Sequence, residues 1–219
     1  MENSENTNLA GGKLAAKYQY VSAEELIAKM KTAFRNAKEP EILSELETVG
    51  ITESNLDDYL LEIADLEQLS QKQIKEYGEQ YAETDKFNLK RIEIDSLYTR
   101  HRNLAKIIFK GDRQSNTTLG IDEGRKRAFA AWFQQVSNFY AQILANPDFK
   151  TKAETVNIKD PDITAQQTAL EQITALKASQ KKEIGEAQKA TDTRDEALAL
   201  LSPKYTQLIG FAKILFPDD

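Results

Sequence analysis

Apolar residues recur every three or four positions along most of the chain, which is the spacing of one face of an α-helix. The pattern is clearest in the second half, where steps of three and four connect fourteen positions from Leu170 to Leu215. Most of these positions are apolar or small, so they form a heptad-like seam. The sequence therefore predicts an all-α fold in which long antiparallel helices form a helical bundle.

A shorter helix is predicted ahead of each long periodic stretch. Ser22 and Glu25 have the spacing of a capping box and open an amphipathic segment that stops before Pro40. The corresponding segment of the second half, residues 125–144, is rich in aromatic residues and stops before Pro147. Each half thus has a short helix, a proline-marked turn and a long helical stretch.

The two halves are also related in sequence. Residues 49–112 align with residues 156–219 without a gap, with 17 identities in 64 positions, where unrelated sequences would give roughly four. We therefore predict a tandem duplication of a unit of 107 residues. Gly78 recurs as Gly185, and because glycine at mid-helix costs roughly 1 kcal/mol relative to alanine, this recurrence predicts a close helix approach or a bend.

The duplication predicts the domain organisation. Residues 1–20 form a polar leader, residues 21–112 the first helical unit, residues 113–121 a linker and residues 122–219 the second unit. The two units are expected to pack as one pseudo-symmetric domain. The leader is polar and acidic and has no apolar h-region, so it does not predict a secretory signal.

The charge pattern and the apolar periodicity favour different conformations for residues 53–110, a hairpin and a single long helix. Residues 39–67 hold ten acidic residues and no Lys or Arg, whereas residues 86–113 hold eight Lys or Arg and three acidic residues. A hairpin that turns near residues 80–85, with Thr84 and Asp85 as a cap, would pair these charges, whereas the unbroken periodicity favours one helix. We favour the hairpin. In the second half, Ser202-Pro203 predicts an N-cap or at least a kink.

Composition excludes several classes of protein. The 219 residues are 40% hydrophobic and 29% charged, carry a net charge of −6 and include no cysteine. No run approaches the ~18 apolar residues of a membrane span, so no membrane insertion is expected. The acidic balance disfavours nucleic acid as a partner. The lack of cysteine excludes disulfides and thiolate chemistry, and fits the reducing cytoplasm.

No catalytic, cofactor-binding or metal-binding motif is present, so we predict that the protein is not an enzyme and has no cofactor. The single histidine, His101, lies between Arg100 and Arg102 and is predicted to be solvated. Tyr98 and Tyr205 are expected to place their rings in the core and their hydroxyls at its edge.

The sequence KE-x-GE occurs twice, and its two copies contain four carboxylates that are candidate ligands for a hard cation. They are Glu76, Glu79, Glu183 and Glu186. We favour the simpler interpretation that Lys75–Glu79 and Lys182–Glu186 form i,i+4 ion pairs on a solvated helix face, and we predict no metal site.

A basic band at residues 86–127 holds eleven Lys or Arg and five acidic residues. Its candidate interaction patch comprises Arg100, Arg102, Lys106, Lys110, Arg113, Arg125, Lys126 and Arg127. We expect a non-enzymatic helical scaffold that mediates protein–protein interaction or assembly, with a protein partner or further copies of itself. The alternative is a helical module that uses this band to bind a small ligand or nucleic acid.

Overall fold

The computed structural model describes residues 21–217, and within them the chain forms seven helices and no strand. The helices are α1 (Ala23–Asn36), α2 (Pro40–Thr48), α3 (Glu53–Ile108), α4 (Arg113–Thr118), α5 (Phe129–Ala145), α6 (Pro147–Glu154) and α7 (Asp160–Leu215). The all-α prediction is confirmed. The predicted leader, residues 1–20, lies outside the described residues, as do residues 218–219.

The ends of the short helices follow the predicted local signals. The Ser22 hydroxyl accepts a hydrogen bond from the Glu25 amide at 3.1 Å, which caps α1. The Asn146 side chain caps α6 in the same way, accepting from the Asp148 amide at 2.9 Å, and Pro147 occupies the first turn. Gly50, with φ +86°, provides the left-handed residue between α2 and α3.

The predicted hairpin in the first long stretch is wrong. Helix α3 runs for 56 residues without interruption, and Thr84 and Asp85 lie inside it instead of capping a returning helix. The acidic residues near its start pair with other segments: Glu53 with Lys38 at 3.3 Å, and Glu62 with Lys204 at 2.5 Å. The charges therefore did not require a turn, and the unbroken heptad pattern decided the conformation.

The predicted cap at Ser202-Pro203 is also wrong. Helix α7 continues for 56 residues with Pro203 in its interior. The Ser202 hydroxyl donates a hydrogen bond to the Leu198 carbonyl at 2.7 Å instead of capping a helix start. Proline removes one backbone donor, and the long apolar seam on both sides of it keeps the helix continuous.

The chain divides into two compact units that each draw on both long helices. Among the described residues, one consists of residues 21–67 and 196–217, and the other of residues 68–195. Each unit thus combines segments that are distant in sequence. The sequential boundaries predicted above describe the repeat, and they stay a prediction.

The first unit is built around α1, α2, the start of α3 and the end of α7. Its largest fully buried side chains are Met30, Phe34, Leu46, Leu56, Ile63 and Leu66. Leu201 and Leu208 of α7 join the same core. Ion pairs between Lys31 and Glu67 and between Lys204 and Glu62 lie at its margin, so helices distant in sequence share one apolar interior.

The second unit has an aromatic core. Trp132, Phe139 and Tyr140 of α5 are almost fully buried and pack with Tyr98 of α3, whose ring centroid lies 5.4 Å from that of Phe139. Leu170 and Ile173 of α7 complete the same cluster. Aromatic side chains bury much apolar area, so α5 holds this part of α3 and α7 together.

Within the second unit, α3 and α7 run antiparallel. The Gln73 side-chain amide donates to the Thr191 hydroxyl at 3.2 Å, and the Gln180 amide donates to the Thr84 hydroxyl at 3.3 Å. A higher number on α3 thus meets a lower number on α7, which confirms the predicted antiparallel helices. Of the fourteen seam positions, all but Lys177 and Ile184 are buried or half-buried.

The predicted close approach at the repeated glycines is wrong. A Cβ atom built on Gly78 or on Gly185 would meet no atom within 4 Å. Each residue lies in the middle of an unbroken helix. Neither glycine is therefore required by packing among the described residues.

Replacing Gly185 by alanine should stabilise the protein. The substitution removes backbone freedom from the unfolded chain and meets no steric obstacle, so the free energy of unfolding should rise by about 0.5–1 kcal/mol. Chemical denaturation followed by circular dichroism measures this change. The matched control is Gly50→Ala, which should destabilise by about 1 kcal/mol because alanine disfavours a positive φ. A loss of stability in Gly185→Ala would show that the glycine has a structural role.

Candidate interaction surfaces

The predicted basic patch is divided between exposed and buried residues. Seven of its eight members are exposed, at the end of α3, at the start of α4 and in the loop before α5. Arg102 is buried, and its guanidinium donates to the Ile121 carbonyl at 3.2 Å and also to that of Glu123. Arg102 therefore anchors the loop to α3 and is not available to a partner, while the role of the other seven stays a prediction.

The basic loop borders a small pocket of about 250 Å³. Its lining residues are Arg91, Ile92, Asp95, Arg125, Lys126, Arg127 and Trp132. Asp95 is the only acid among them: it pairs with Arg125 and accepts a hydrogen bond from the Trp132 indole at 2.9 Å. The Arg91 guanidinium lies over the Trp132 ring, 5.1 Å from its centroid. The lining carries a net charge of +3, so it favours an anion.

His101 is not solvated as predicted. It is only 5% exposed, and its Nδ1 atom lies 3.1 Å from the Tyr140 hydroxyl. Burial lowers the pKa of His101, an effect that Asp162 opposes and Arg100 reinforces. The prediction failed because residues that are adjacent in a helix point in different directions, so the charged neighbours did not report the histidine's surroundings.

The two tyrosines differ from each other in placement, and Tyr98 departs from the prediction that its hydroxyl lies at the edge of the core. Tyr98 is fully buried, and its hydroxyl has no hydrogen-bond partner among the described residues. Burial raises the pKa of the Tyr98 hydroxyl. Tyr205 is half-buried and packs edge-on against Phe34 at 6.3 Å. Only Tyr205 therefore lies at the margin of a core.

The buried histidine should make the stability pH-dependent. Because its pKa is lower in the folded protein than in the unfolded chain, the unfolded state binds the proton more readily below about pH 6.5. The free energy of unfolding should thus fall between about pH 7.5 and pH 5.5. In His101→Leu this fall should be smaller, because leucine does not titrate. Equal falls in the two proteins, measured by denaturant titration at both pH values, would contradict the assignment.

The repeated KE-x-GE phrase forms the predicted ion pairs. Lys75 lies 3.1 Å from Glu79, and Lys182 lies 2.9 Å from Glu186. In both cases the hydrogen bond to the glutamate raises the pKa of the lysine. The i,i+4 pairs are therefore confirmed.

Three of the four carboxylates nevertheless converge. Oxygen atoms of Glu76, Glu79 and Glu183 lie within 4.8 Å of one another. Glu76 and Glu183 are half-buried, and Glu79 is exposed and paired with Lys75. Acidic groups often cluster on protein surfaces without an ion, so this arrangement does not by itself indicate a metal site.

A stripe of exposed apolar side chains runs along α3. It consists of Ile74, Tyr81, Leu89 and Ile92, each between 59% and 68% exposed. Ile74 and Ile92 are 18 residues apart, which is five helical turns, and around the helix Tyr81 lies about 20° to one side of them and Leu89 about 60° to the other. Four large apolar side chains thus share one solvent-exposed face, which we call the α3 stripe.

The corresponding positions of α7 have a different character. At a shift of 107 residues, the α3 stripe corresponds to Lys181, Gln188, Glu196 and Ala199. All four are exposed. Of two long helices with equal length, only α3 presents large apolar residues at these positions, so the apolar face is not a general property of the fold.

The heptad pattern does not predict the α3 stripe, because the residues of the stripe lie between the seam positions that the pattern marks. A usable signal was present: Ile74, Tyr81, Leu89 and Ile92 lie between the seam residues, where a solvated helix normally carries polar side chains. Comparing the two halves position by position would have shown that these residues are polar or small in α7.

No protein-family model, curated protein or solved structure matches the chain. None of the helices within residues 21–217 has a hydrophobic stretch long enough to span a lipid bilayer.

Proposed function

We propose that this chain is a non-enzymatic helical scaffold that mediates protein–protein interaction or assembly and presents the α3 stripe to a partner. The stripe is the observation that carries the proposal. Contiguous apolar surface on a soluble helix commonly marks a binding site. Burying each of its side chains in an interface would contribute about 1–2 kcal/mol, which is enough for several of them together to hold a complex.

We also propose that the scaffold arose by tandem duplication of a 107-residue unit. Helices α3 and α7 have the same length of 56 residues and begin 107 residues apart. Two of the hydrogen bonds that join them, Gln73 to Thr191 and Gln180 to Thr84, are related by the same shift: Gln73 corresponds to Gln180, and Thr84 corresponds to Thr191. A duplicated helical unit would allow one long helix to acquire a binding face at positions that are polar or small in the other.

The chemistry of the described residues supports a binding role over an enzymatic one. The single histidine is buried against Tyr140. The Glu79 carboxylate is neutralised by Lys75. The cysteine-free sequence further suits a scaffold that acts in the reducing cytoplasm.

A substitution in the α3 stripe should weaken capture of the partner. Leu89→Lys places a charge in the apolar face, so binding should fall by about tenfold or more, since each 1.4 kcal/mol corresponds to a factor of ten. Tagged protein is used to capture partners from native lysate, which are quantified by mass spectrometry. The matched control Glu196→Lys introduces the same charge at the corresponding position of α7 and should retain the partner.

Two results would contradict the scaffold proposal. One is equal capture by wild type, Leu89→Lys and Glu196→Lys, which would show that the captured protein does not bind the stripe. The other is the absence of any specifically captured protein, including further copies of this chain. Circular dichroism establishes that each variant is folded.

The pocket beside the basic loop favours a second candidate function, the binding of an anionic ligand or nucleic acid. Its net charge of +3 and the exposed Arg127 side chain support this alternative. The arginines and lysine would contact phosphate groups, and such binding weakens strongly with salt. Three of the four cations already have partners within the chain, so we rank this function below the scaffold.

Trp132, the only tryptophan of the chain, reports on this pocket. If the pocket binds anions, a short single-stranded oligonucleotide should change the Trp132 fluorescence at low salt, and the effect should weaken as salt increases. Arg127→Gln should reduce the affinity several-fold, whereas Lys181→Gln, on α7, should leave it unchanged. A fluorescence response that is independent of salt and of Arg127 would reject this candidate.

A further inference from the structure

The α3 stripe is chemically self-complementary. Ile74 and Ile92 lie nine residues before and nine residues after Glu83, and Tyr81 and Asp85 lie two residues before and after it. If a second α3 helix were laid antiparallel across this midpoint, residue i would face residue 166 − i. Each isoleucine would then meet the other isoleucine, and each Tyr81 would meet Asp85.

We propose that the partner of the α3 stripe is a second copy of this chain, bound with its α3 antiparallel and with a two-fold axis that crosses the stripe between Tyr81 and Asp85, at the level of residue 83. The Glu83 side chain itself lies on the opposite side of α3, where it pairs with Lys86 at 2.5 Å. This inference rests on the scaffold function proposed above and specifies its partner. A two-fold interface uses the same surface on both copies, so two equivalent helices must cross in opposite directions. The stripe meets this requirement, because antiparallel α3 helices would place Ile74 opposite Ile92 and Tyr81 opposite Asp85.

Polar groups along the stripe are compatible with this pairing. Two charged residues between Tyr81 and Leu89 are exposed, Asp85 and Lys86. Asp85 lies on the same side of the helix as Ile74 and Ile92, whereas Lys86 lies to one side and pairs with Glu83 at 2.5 Å. In the antiparallel arrangement Asp85 faces the Tyr81 hydroxyl, which can donate a hydrogen bond to the carboxylate. The two Asp85 carboxylates avoid each other, because each lies opposite residue 81 of the other copy and not opposite residue 85.

The apolar contacts follow the same symmetry. Leu89 of one copy lies at the same level as Tyr77 of the other, but the two residues project about 60° to opposite sides of the line of contact. Tyr77 is half-buried, and its hydroxyl contacts Thr191 of its own chain at 3.4 Å. The flank holds one like-charge pairing, Lys75 with Arg91. Both side chains are already engaged, Lys75 with Glu79 and Arg91 with the Trp132 ring. The stripe thus offers each copy apolar surface without an unpaired charge at its centre.

An arrangement of this kind gives the stripe an occupant without a second gene product. Four large side chains from each copy would be buried, and the neighbouring turns of α3 would extend the contact toward the roughly 800 Å² per partner of a standard interface. The polar counterparts on α7, which include Lys181 and Gln188, would prevent that helix from pairing in the same way. The predicted assembly is a closed dimer and not a chain of subunits.

Light scattering and sedimentation equilibrium on the full chain, over about 1 to 100 µM, test the stoichiometry. We expect a reversible dimer. Tyr81→Glu should raise the dissociation constant by about ten- to a hundredfold. Gln188→Glu, the same change at the corresponding position of α7, should leave it unchanged.

Disulfide cross-linking tests the orientation, because the native chain has no cysteine. When Ile74→Cys and Ile92→Cys proteins are mixed and oxidised, an antiparallel pair should give the mixed 74–92 cross-link. Ile92→Cys mixed with Lys181→Cys should give no mixed product. Predominant 74–74 and 92–92 cross-links would indicate parallel helices and overturn the proposal.

A monomeric wild-type protein at the highest concentration, or a dimer unaffected by Tyr81→Glu, would also overturn it. The scaffold function has a separate test. If the protein is monomeric but Leu89→Lys still loses a different captured protein that Glu196→Lys retains, the stripe binds that protein and only the self-pairing is rejected. If the dimer forms as described, both proposals are supported.

Discussion

The antiparallel packing of α3 on α7 is the interaction on which the rest of the structure depends. Most of the stability of a helix in a protein comes from the packing of its apolar face and not from local propensity, so α3 and α7 depend on the apolar seam that they bury. In the first unit Leu201 and Leu208 of α7 pack with Leu56 and Ile63 of α3. In the second, α5 supplies aromatic side chains to the same two helices.

Much of the fold could be predicted because the seam repeats every seven residues and the short helices carry strong terminal signals. Ser22, Pro40 and Pro147 each act where the sequence indicated. The charge argument for a hairpin failed for a physical reason: exposed ion pairs contribute little, so the acidic residues did not direct the chain. Glu53 pairs with Lys38 and Glu62 with Lys204, both outside α3, and the regular spacing of apolar residues favours a continuous α3.

The candidate surfaces were less predictable. Linear charge density located the basic loop, but it could not show that Arg102 is buried or that His101 contacts Tyr140, because burial depends on which helix covers a given face. The local Lys75–Glu79 pair could be predicted, since its geometry is fixed within one helix. The α3 stripe could not be predicted from the seam alone, because it depends on which residues outside the seam stay exposed in the folded chain.

The hydrogen bonds between glutamine and threonine side chains give the helix pair a defined alignment. An apolar seam alone tolerates sliding by one heptad, since leucine packs well against many neighbours. If α7 slid by seven residues, Gln73 would face Ile184 or Leu198 in place of Thr191. Its amide would then be left without a partner, at a cost of about 1–3 kcal/mol once buried. Polar residues within an otherwise apolar contact thus act against mispaired states of the fold.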